Sequence, residues 1–334
     1  MPPDERRSNA TLVWVVLGGL YFVWGTTYLG IEKVNETAPT LIGAAVRFLF
    51  AGSVLFGWST FRSGERTNVT QWRAAGTVGV FLVLGGNALV AVSENMGTPT
   101  GVVSLIIALI PLWLALFDRV LLRSAPLGPR VVAGLLGGFA GAALLIGGNA
   151  LAGHAPLGGM LVAVAATVLW ATGSLYARRA ALPGNALLGS GMQQLVGGAA
   201  ILAVAIASGE LGQLHVGQIS RDSWLGLAWL VVAGSFVGFS SYLWLLRNAR
   251  TSLVSTYAFV NPVVAVTLGW LVLNEALTAR VLVAGLVILV SVALIVSAGG
   301  TARTDLGGDV EAVAPPSLVS DADEQGGSQV QTEI

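Results

Sequence analysis

The sequence predicts an all-α membrane protein: ten transmembrane helices forming two inverted five-helix repeats around a central cavity. Three observations lead there. The first is composition, 54% hydrophobic residues and only 10% charged ones, against about 25% charged in an ordinary soluble domain. Such a chain lacks the polar surface to stay in water, and its formal net charge of +0 matters less than how the basic residues are distributed. The second is the division of the chain into apolar segments of about 20 residues, the length that crosses a bilayer core as a helix. The third is internal repetition. Val103, Ser104 and Pro111 recur as Val254, Ser255 and Pro262, 151 positions on, and the same offset lays Val132-Ala133-Gly134-Leu135 on Val283-Ala284-Gly285-Leu286. Repeated membrane units most often meet around a solute site.

The predicted crossings are 11–31, 39–61, 72–93, 98–120, 127–148, 156–177, 184–207, 223–246, 251–273 and 278–298. The first follows Arg6 and Arg7, as a signal peptide would, but it is longer than the roughly 7 to 15 apolar residues of a signal core and lacks a small-residue cleavage site. It also has a counterpart in the second half, so it reads as a retained helix. Short connections such as Gly147-Gly148-Asn149 and Leu182-Pro183-Gly184-Asn185 separate the crossings, and no room is left for a soluble domain.

Toward the N-terminus the repeat continues at a slightly different offset. Leu41, Gly43, Leu49 and Gly52 match Leu187, Gly189, Leu195 and Gly198, and Trp24 matches Trp170, all 146 apart. The change of offset falls between the second and third crossings of each unit, where 208–222 is the longer connection. Five crossings per unit is an odd number, so the second unit enters the membrane from the opposite side and an in-plane pseudo-two-fold axis relates the halves. The expected organisation is a cytoplasmic tail over 1–10, repeats over 11–148 and 156–298, and a disordered acidic cytoplasmic tail over 299–334, which is Gly/Ser-rich and poor in large apolar residues.

Orientation follows from the loops, because positive residues are retained on the cytoplasmic side. With the N-terminus inside, thirteen arginines fall in inner loops and tails, while outer loops hold only Lys33, Arg221 and Arg280. Both termini are therefore expected in the cytoplasm, and the protein in the inner membrane. The chain has no cysteine, hence no disulfide, thiolate nucleophile or cysteine metal site.

Trp-Gly-Thr-Thr-Tyr-Leu at 24–29, Ala-Ala-Val-Arg-Phe-Leu-Phe-Ala-Gly at 44–52 and the Ser-to-Pro stretches 104–111 and 255–262 resemble the drug/metabolite transporter superfamily. More narrowly, the chain is similar to its ten-helix form built from two EamA-type halves, and to bacterial exporters of aromatic and other amino acids. The resemblance covers residues 11–298. It implies an inverted-repeat carrier whose members move amino acids, other metabolites or drugs, often outward. The second half departs from the pattern in having Gln193 and Gln194 where the first has Arg47 and Phe48, so a role for the arginine carries over to one half only.

Candidate site residues come from three patterns. Pro111 and Pro262 each lack an amide hydrogen and displace the carbonyl four residues back, freeing those of Ile107 and Ala258. In hydrocarbon a free carbonyl must face protein or water, so the prolines are candidate hinges, with Ser104, Ser255 and Asn261 as nearby polar groups; the alternative is that they merely bend their helices. Trp24, Thr27 and Tyr28 share a mid-span face, Trp170 and Ser174 repeat it in the sixth crossing, and Tyr257 with Asn261 adds another. Such faces can surround an apolar side chain and hydrogen-bond amino-acid ends, or can be interhelical packing. Arg47 is the one basic residue clearly inside a span; it can hold a substrate carboxylate, but the reading favoured from sequence is a structural pair with Glu94, Glu32 or Glu36. Asn87 shares a face with Glu94 and is a candidate cavity group. Gly134, Gly138 and Gly141, like Gly234 and Gly238, have the small-xxx-small spacing of close backbone packing.

No Asp or Glu lies deep in a span, since Glu94, Asp118 and Glu275 sit near ends, and His154 and His215 fall in loops. A buried proton relay is therefore not expected; facilitated diffusion or exchange is, with coupling through a rim carboxylate as the lesser option. An intramembrane enzyme would need nucleophiles, paired carboxylates or metal ligands at depth, so no enzyme activity, metal or cofactor is expected. The expected partners are a small-molecule substrate, amino acids or related metabolites, and the lipid bilayer; no nucleic acid is implied, and the sequence leaves the oligomeric state open, a monomer being compatible with it. The alternative substrate class is non-amino-acid drugs or metabolites.

Overall fold

The computed structural model describes residues 3–121, 128–151, 156–238, 241–242, 244–245, 249 and 257–301. Within these residues lie ten apolar helical crossings, here α1 to α10: α1 (Pro3–Asn35), α2 (Thr40–Ser63), α3 (Val69–Asn95), α4 in two pieces (Thr100–Ile107 and Ile110–Leu121), α5 (Pro129–Leu151), α6 (Leu157–Ala177), α7 (Ala186–Ala207), α8 (221–238), α9 (Tyr257–Leu273) and α10 (Ala279–Thr301). Eight of these contain stretches long and apolar enough to span a membrane without reference to the others; α8 and α9 are the shorter two among the described residues. An even number of crossings returns the chain to the face it left, called here the near face. The connections 36–39, 96–99, 208–220 and 274–278 lie at the opposite, far face. Ser255 and most of the predicted acidic tail lie outside the described residues.

Helix α1 starts at Pro3, within the segment 1–10 expected as a cytoplasmic tail. Pro is favoured at a first helical position, where its missing N–H costs nothing. At the other end, α10 runs to Thr301.

The packing follows the pseudo-two-fold axis. Helix α2 lies along α7 and α5 along α10, each against its own repeat equivalent, while α1 on α9 is mirrored by α6 on α4. The α2/α7 contact shows the repeat most directly. A side chain on Gly52 would meet the Leu195 amide at 2.8 Å, and one on Gly198 would meet the Leu49 amide at 3.0 Å. Gly52/Gly198 and Leu49/Leu195 are repeat pairs, so each half makes the contact its counterpart makes, as an isologous interface requires. Gly191 brings α7 within 2.6 Å of where its Cβ would strike the Phe56 amide. Close approach of this kind supplies the dispersion energy that replaces the hydrophobic effect in a lipid solvent.

Two elements depart from regular α-helix. Residues Val80–Ala88 of α3 and Leu230–Gly238 of α8 are π-helical, nine residues each, and occupy equivalent crossings of the two halves. Wide turns of this type are uncommon and concentrate at functional sites. The two candidate hinge prolines sit differently: α4 breaks at Ala108–Leu109, just before Pro111, whereas Pro262 lies inside the helix α9.

Candidate functional site

A cavity of about 110 Å³ lies where α1, α2, α3, α4, α6 and α9 converge. That is of the same order as an engineered apolar cavity of about 150 Å³ that takes a benzene ring. Its wall is built from both halves. Helix α1 contributes Trp24, Thr27, Tyr28 and Ile31, α2 contributes Arg47, and the π-helical part of α3 contributes Gly86 and Asn87, with Val90 one turn on. The break in α4 exposes Ser104, Ile107, Ala108 and Pro111; α6 adds Ala166 and Trp170, and α9 adds Tyr257, Asn261 and Pro262.

The aromatic groups form one connected wall. Trp24 meets Tyr257 edge-on with centroids 5.0 Å apart and Tyr242 at 5.2 Å, and the two tyrosines lie 6.0 Å from each other. Such geometries are worth about 0.5–1.5 kcal/mol each beyond area burial. Glycines make room for the large side chains. A Cβ on Gly86 would lie 2.5 Å from the Trp170 ring, one on Gly238 would lie 2.3 Å from the Trp24 indole nitrogen, and one on Gly234 would lie 2.8 Å from an Arg47 guanidinium nitrogen. The expectation that Gly234 and Gly238 serve backbone-to-backbone packing is thus corrected: these glycines of α8 accommodate site side chains. Gly134 and Gly141 do meet backbone, at Ser291 and Ala284 of α10.

Arg47 is 5% exposed and donates from Nε to the Ser235 hydroxyl at 3.2 Å, with its guanidinium carbon 4.6 Å from the Phe48 ring centre. Among the described residues it forms no ion pair, and the one salt bridge is Lys33–Glu36. The predicted pairing of Arg47 with Glu94, Glu32 or Glu36 is therefore corrected. The reason is depth: Arg47 sits at the cavity, the three acids sit toward the far face, and Glu36 is taken by Lys33. Among the described residues four guanidinium donors are left without a protein partner beside a cavity, an arrangement that favours an anionic ligand group.

The polar residues of the wall are less free than their spacing suggested. Ser104 donates to the Gly101 carbonyl at 2.8 Å instead of serving the carbonyl released by Pro111, because a serine in a helix reaches the preceding turn. Thr27 likewise bonds the Trp24 carbonyl at 2.6 Å. The Asn87 amide nitrogen donates to the Leu82 carbonyl at 3.1 Å within the π-helical turn, which leaves its oxygen for a ligand donor. The Asn261 amide, turned to suit its surroundings, donates to the Tyr257 and Tyr21 carbonyls, each at 3.2 Å.

Two predicted residues lie off the cavity. Ser174 is half-buried one turn beyond Trp170, where Gly173 fits α6 against Phe81 and Leu82 and carries the face away from the cavity. Glu94 is seven residues past Asn87, about 10 Å along the helix, which takes it beyond the cavity to the far face. There it is buried. The sequence reading missed Ser235, Ile31, Gly86 and Val90. Ser235 and Gly86 belong to the π-helical stretches, which have no periodicity signal distinct from an apolar helix.

The far face is tied between the halves by hydrogen bonds. Asn274 adopts a left-handed backbone, φ 55°, which ends α9 and turns Glu275 back so that its N–H reaches the Gly269 carbonyl at 3.0 Å. The Glu275 carboxylate then accepts from the Thr100 amide at 2.6 Å, the Gly101 amide at 3.0 Å and the Thr100 hydroxyl, capping the start of α4. Glu210 accepts from the Leu41 and Ile42 amides at 2.8 and 3.2 Å at the start of α2. Ser223 bonds Thr37 at 2.7 Å and the Lys33 carbonyl at 2.6 Å, and Ser93 bonds the Gly159 carbonyl at 2.8 Å. Carboxylates at helix N-termini are favoured both by free N–H groups and by the dipole.

Comparison with known proteins brings this architecture into a larger set. A family model described as the EamA-like transporter family matches twice, at residues 10–147 and 157–297. The chain is 33% identical over 253 residues to the "Uncharacterized inner membrane transporter YedA" of Escherichia coli (strain K12), covering 76% of this chain and 80% of that one. It is 29% identical to "Protein PecM" of Dickeya dadantii (strain 3937), with 82% and 88% covered. It is 24% identical to the "Probable amino-acid metabolite efflux pump" of Escherichia coli (strain K12), with 82% and 89% covered. A solved crystal structure shares the fold with a TM-score of 0.59 at 22% identity, over 86% of this chain and 98% of the other.

Proposed function

Because the chain belongs to the EamA-like transporter family, we propose that it carries amino acids, aromatic and other apolar ones included, across the inner membrane by alternating access. The observation that carries this reading is Arg47, a buried cation without a counter-charge that opens on an aromatic-walled cavity. A guanidinium there pairs with a carboxylate. Trp24, Trp170 and Tyr257 offer ring faces to an apolar side chain, and the free oxygen of Asn87 accepts from an ammonium group. One relative described as an amino-acid metabolite efflux pump supports the same substrate class.

The near face, toward which thirteen of the arginines are distributed, is the cytoplasmic one in this reading, and net movement is outward by facilitated diffusion or exchange. The far-face hydrogen bonds then seal the external side, and transport alternates between breaking them and parting the helices at the near face. Counterflow in vesicles holding the purified protein tests the proposal. Preloading with unlabelled phenylalanine, tryptophan, leucine or methionine should accelerate uptake of the labelled amino acid, because a carrier exchanges and a pore does not. Fluxes equal to those of empty vesicles across all twenty amino acids would refute it.

A further inference from the structure

Of the acids gathered at the far end of the bundle, one has no group among the described residues to hold its charge. Glu275 has three donors from the start of α4, Glu36 has Lys33, and Glu32 is half-buried at the end of α1. Glu94 is 2% exposed, and neither carboxylate oxygen has a hydrogen-bond partner. The groups facing it sharpen the problem. Glu32 and Tyr28 come from α1 and Glu275 from the connection after α9, and both acids bear on it electrostatically with the same sign. Arg47 of α2 does not come within ion-pair distance, and α6 and the first piece of α4 carry no titratable side chain at this end. The hydroxyl of Thr98, four residues on, is also buried without a partner.

An ionised carboxylate stripped of water, donors and cations costs several kcal/mol, whereas the neutral acid loses far less on burial. Glu94 also stands within the seal: its neighbour Ser93 bonds the Gly159 carbonyl at 2.8 Å, and the Ala91 carbonyl accepts from Asn35 at 3.0 Å. Any movement that parts these contacts admits water to the same acid. We infer that Glu94 is a proton-binding site of the far gate, neutral when the gate is sealed and ionised when it is open. Sealing takes one proton from the aqueous phase on the far side, and opening returns it there. Once ionised, Glu94 repels Glu32 and Glu275, so the open gate recloses only on reprotonation. No substrate enters this step, so it stands apart from the amino-acid reading.

Two measurements test it. Infrared spectra of the purified full chain in lipid at neutral pH should contain a protonated-carboxyl C=O band that shifts in deuterium oxide and is missing in Glu94→Gln. The second uses the absence of native cysteine. A single Val90→Cys reporter on the cavity wall is labelled from the far side with a membrane-impermeant maleimide at a series of pH values, each rate divided by that of Glu94→Gln with the same reporter, which cancels the pH dependence of the thiol. The expected ratio rises about tenfold per pH unit over the alkaline limb, because only the wild-type acid can ionise and hold the gate open. A flat ratio, or a wild-type spectrum without the band, overturns the inference. The infrared result is read on wild type as well as on the variant, so poor folding of Glu94→Gln does not shield the proposal.

Discussion

Removing the Glu275 carboxylate should open the far face. In the sealed arrangement it accepts from two backbone amides and one hydroxyl of α4, at 2.6 and 3.0 Å for the amides. Hydrogen bonds to charged groups contribute about 1.5–3 kcal/mol each. The site is at the aqueous end of the bundle, where water replaces part of what is lost, so a net of about 3 kcal/mol for the three together is a conservative reckoning. That energy favours the sealed state alone, since opening carries the α9–α10 connection of one half away from the α4 start of the other. A change of about 3 kcal/mol moves a two-state equilibrium by about a hundredfold. Glu275→Ala combined with Val90→Cys should therefore be labelled from the far side about a hundred times faster than Val90→Cys alone. Glu36→Ala removes a surface ion pair with Lys33 and should change the rate less than about fivefold, the range of exposed pairs. Equal labelling in Glu275→Ala and its parent would refute the assignment of this clamp to the gate.

Four further outcomes are expected. Arg47→Ala should raise the KM of phenylalanine counterflow by about 10- to 100-fold, the worth of one charge-assisted contact, and should lose the discrimination between phenylalanine and its amide. Gly86→Ala places a Cβ 2.5 Å from the Trp170 ring and should narrow the cavity, lowering transport of tryptophan more than that of leucine while costing about 1–3 kcal/mol of stability by overpacking. Gly191→Ala sets a methyl 2.6 Å from the Phe56 amide in the α2/α7 contact; because backbone cannot yield as a side chain can, thermal unfolding in detergent should show a larger loss than for Gly86→Ala. Gly18→Ala, with nothing within 4 Å, should be stabilised by roughly 0.5–1 kcal/mol in the same assay through lower backbone entropy of the unfolded chain.

Composition, segment length and the 151-residue echo were enough to determine a ten-crossing inverted repeat, because a bilayer permits few solutions: backbone groups must be satisfied within each helix, and an odd-numbered repeat has to invert. Helical spacing likewise brought Trp24, Tyr28, Asn87, Ser104, Trp170, Tyr257 and Asn261 into view, and all seven line one cavity. Tertiary structure decided what each side chain meets. The sequence reading paired Arg47 with an acid, yet a charge's partner depends on depth across helices far apart in the chain, and among the described residues its hydrogen-bond partner is Ser235. It placed Glu94 near a span end, and whether such a residue is wet or buried depends on the packing of other helices over it. The two π-helical stretches were hidden for a related reason. A one-residue change in hydrogen-bond register leaves an apolar sequence looking the same, and only the neighbours that fill the widened turn reveal it.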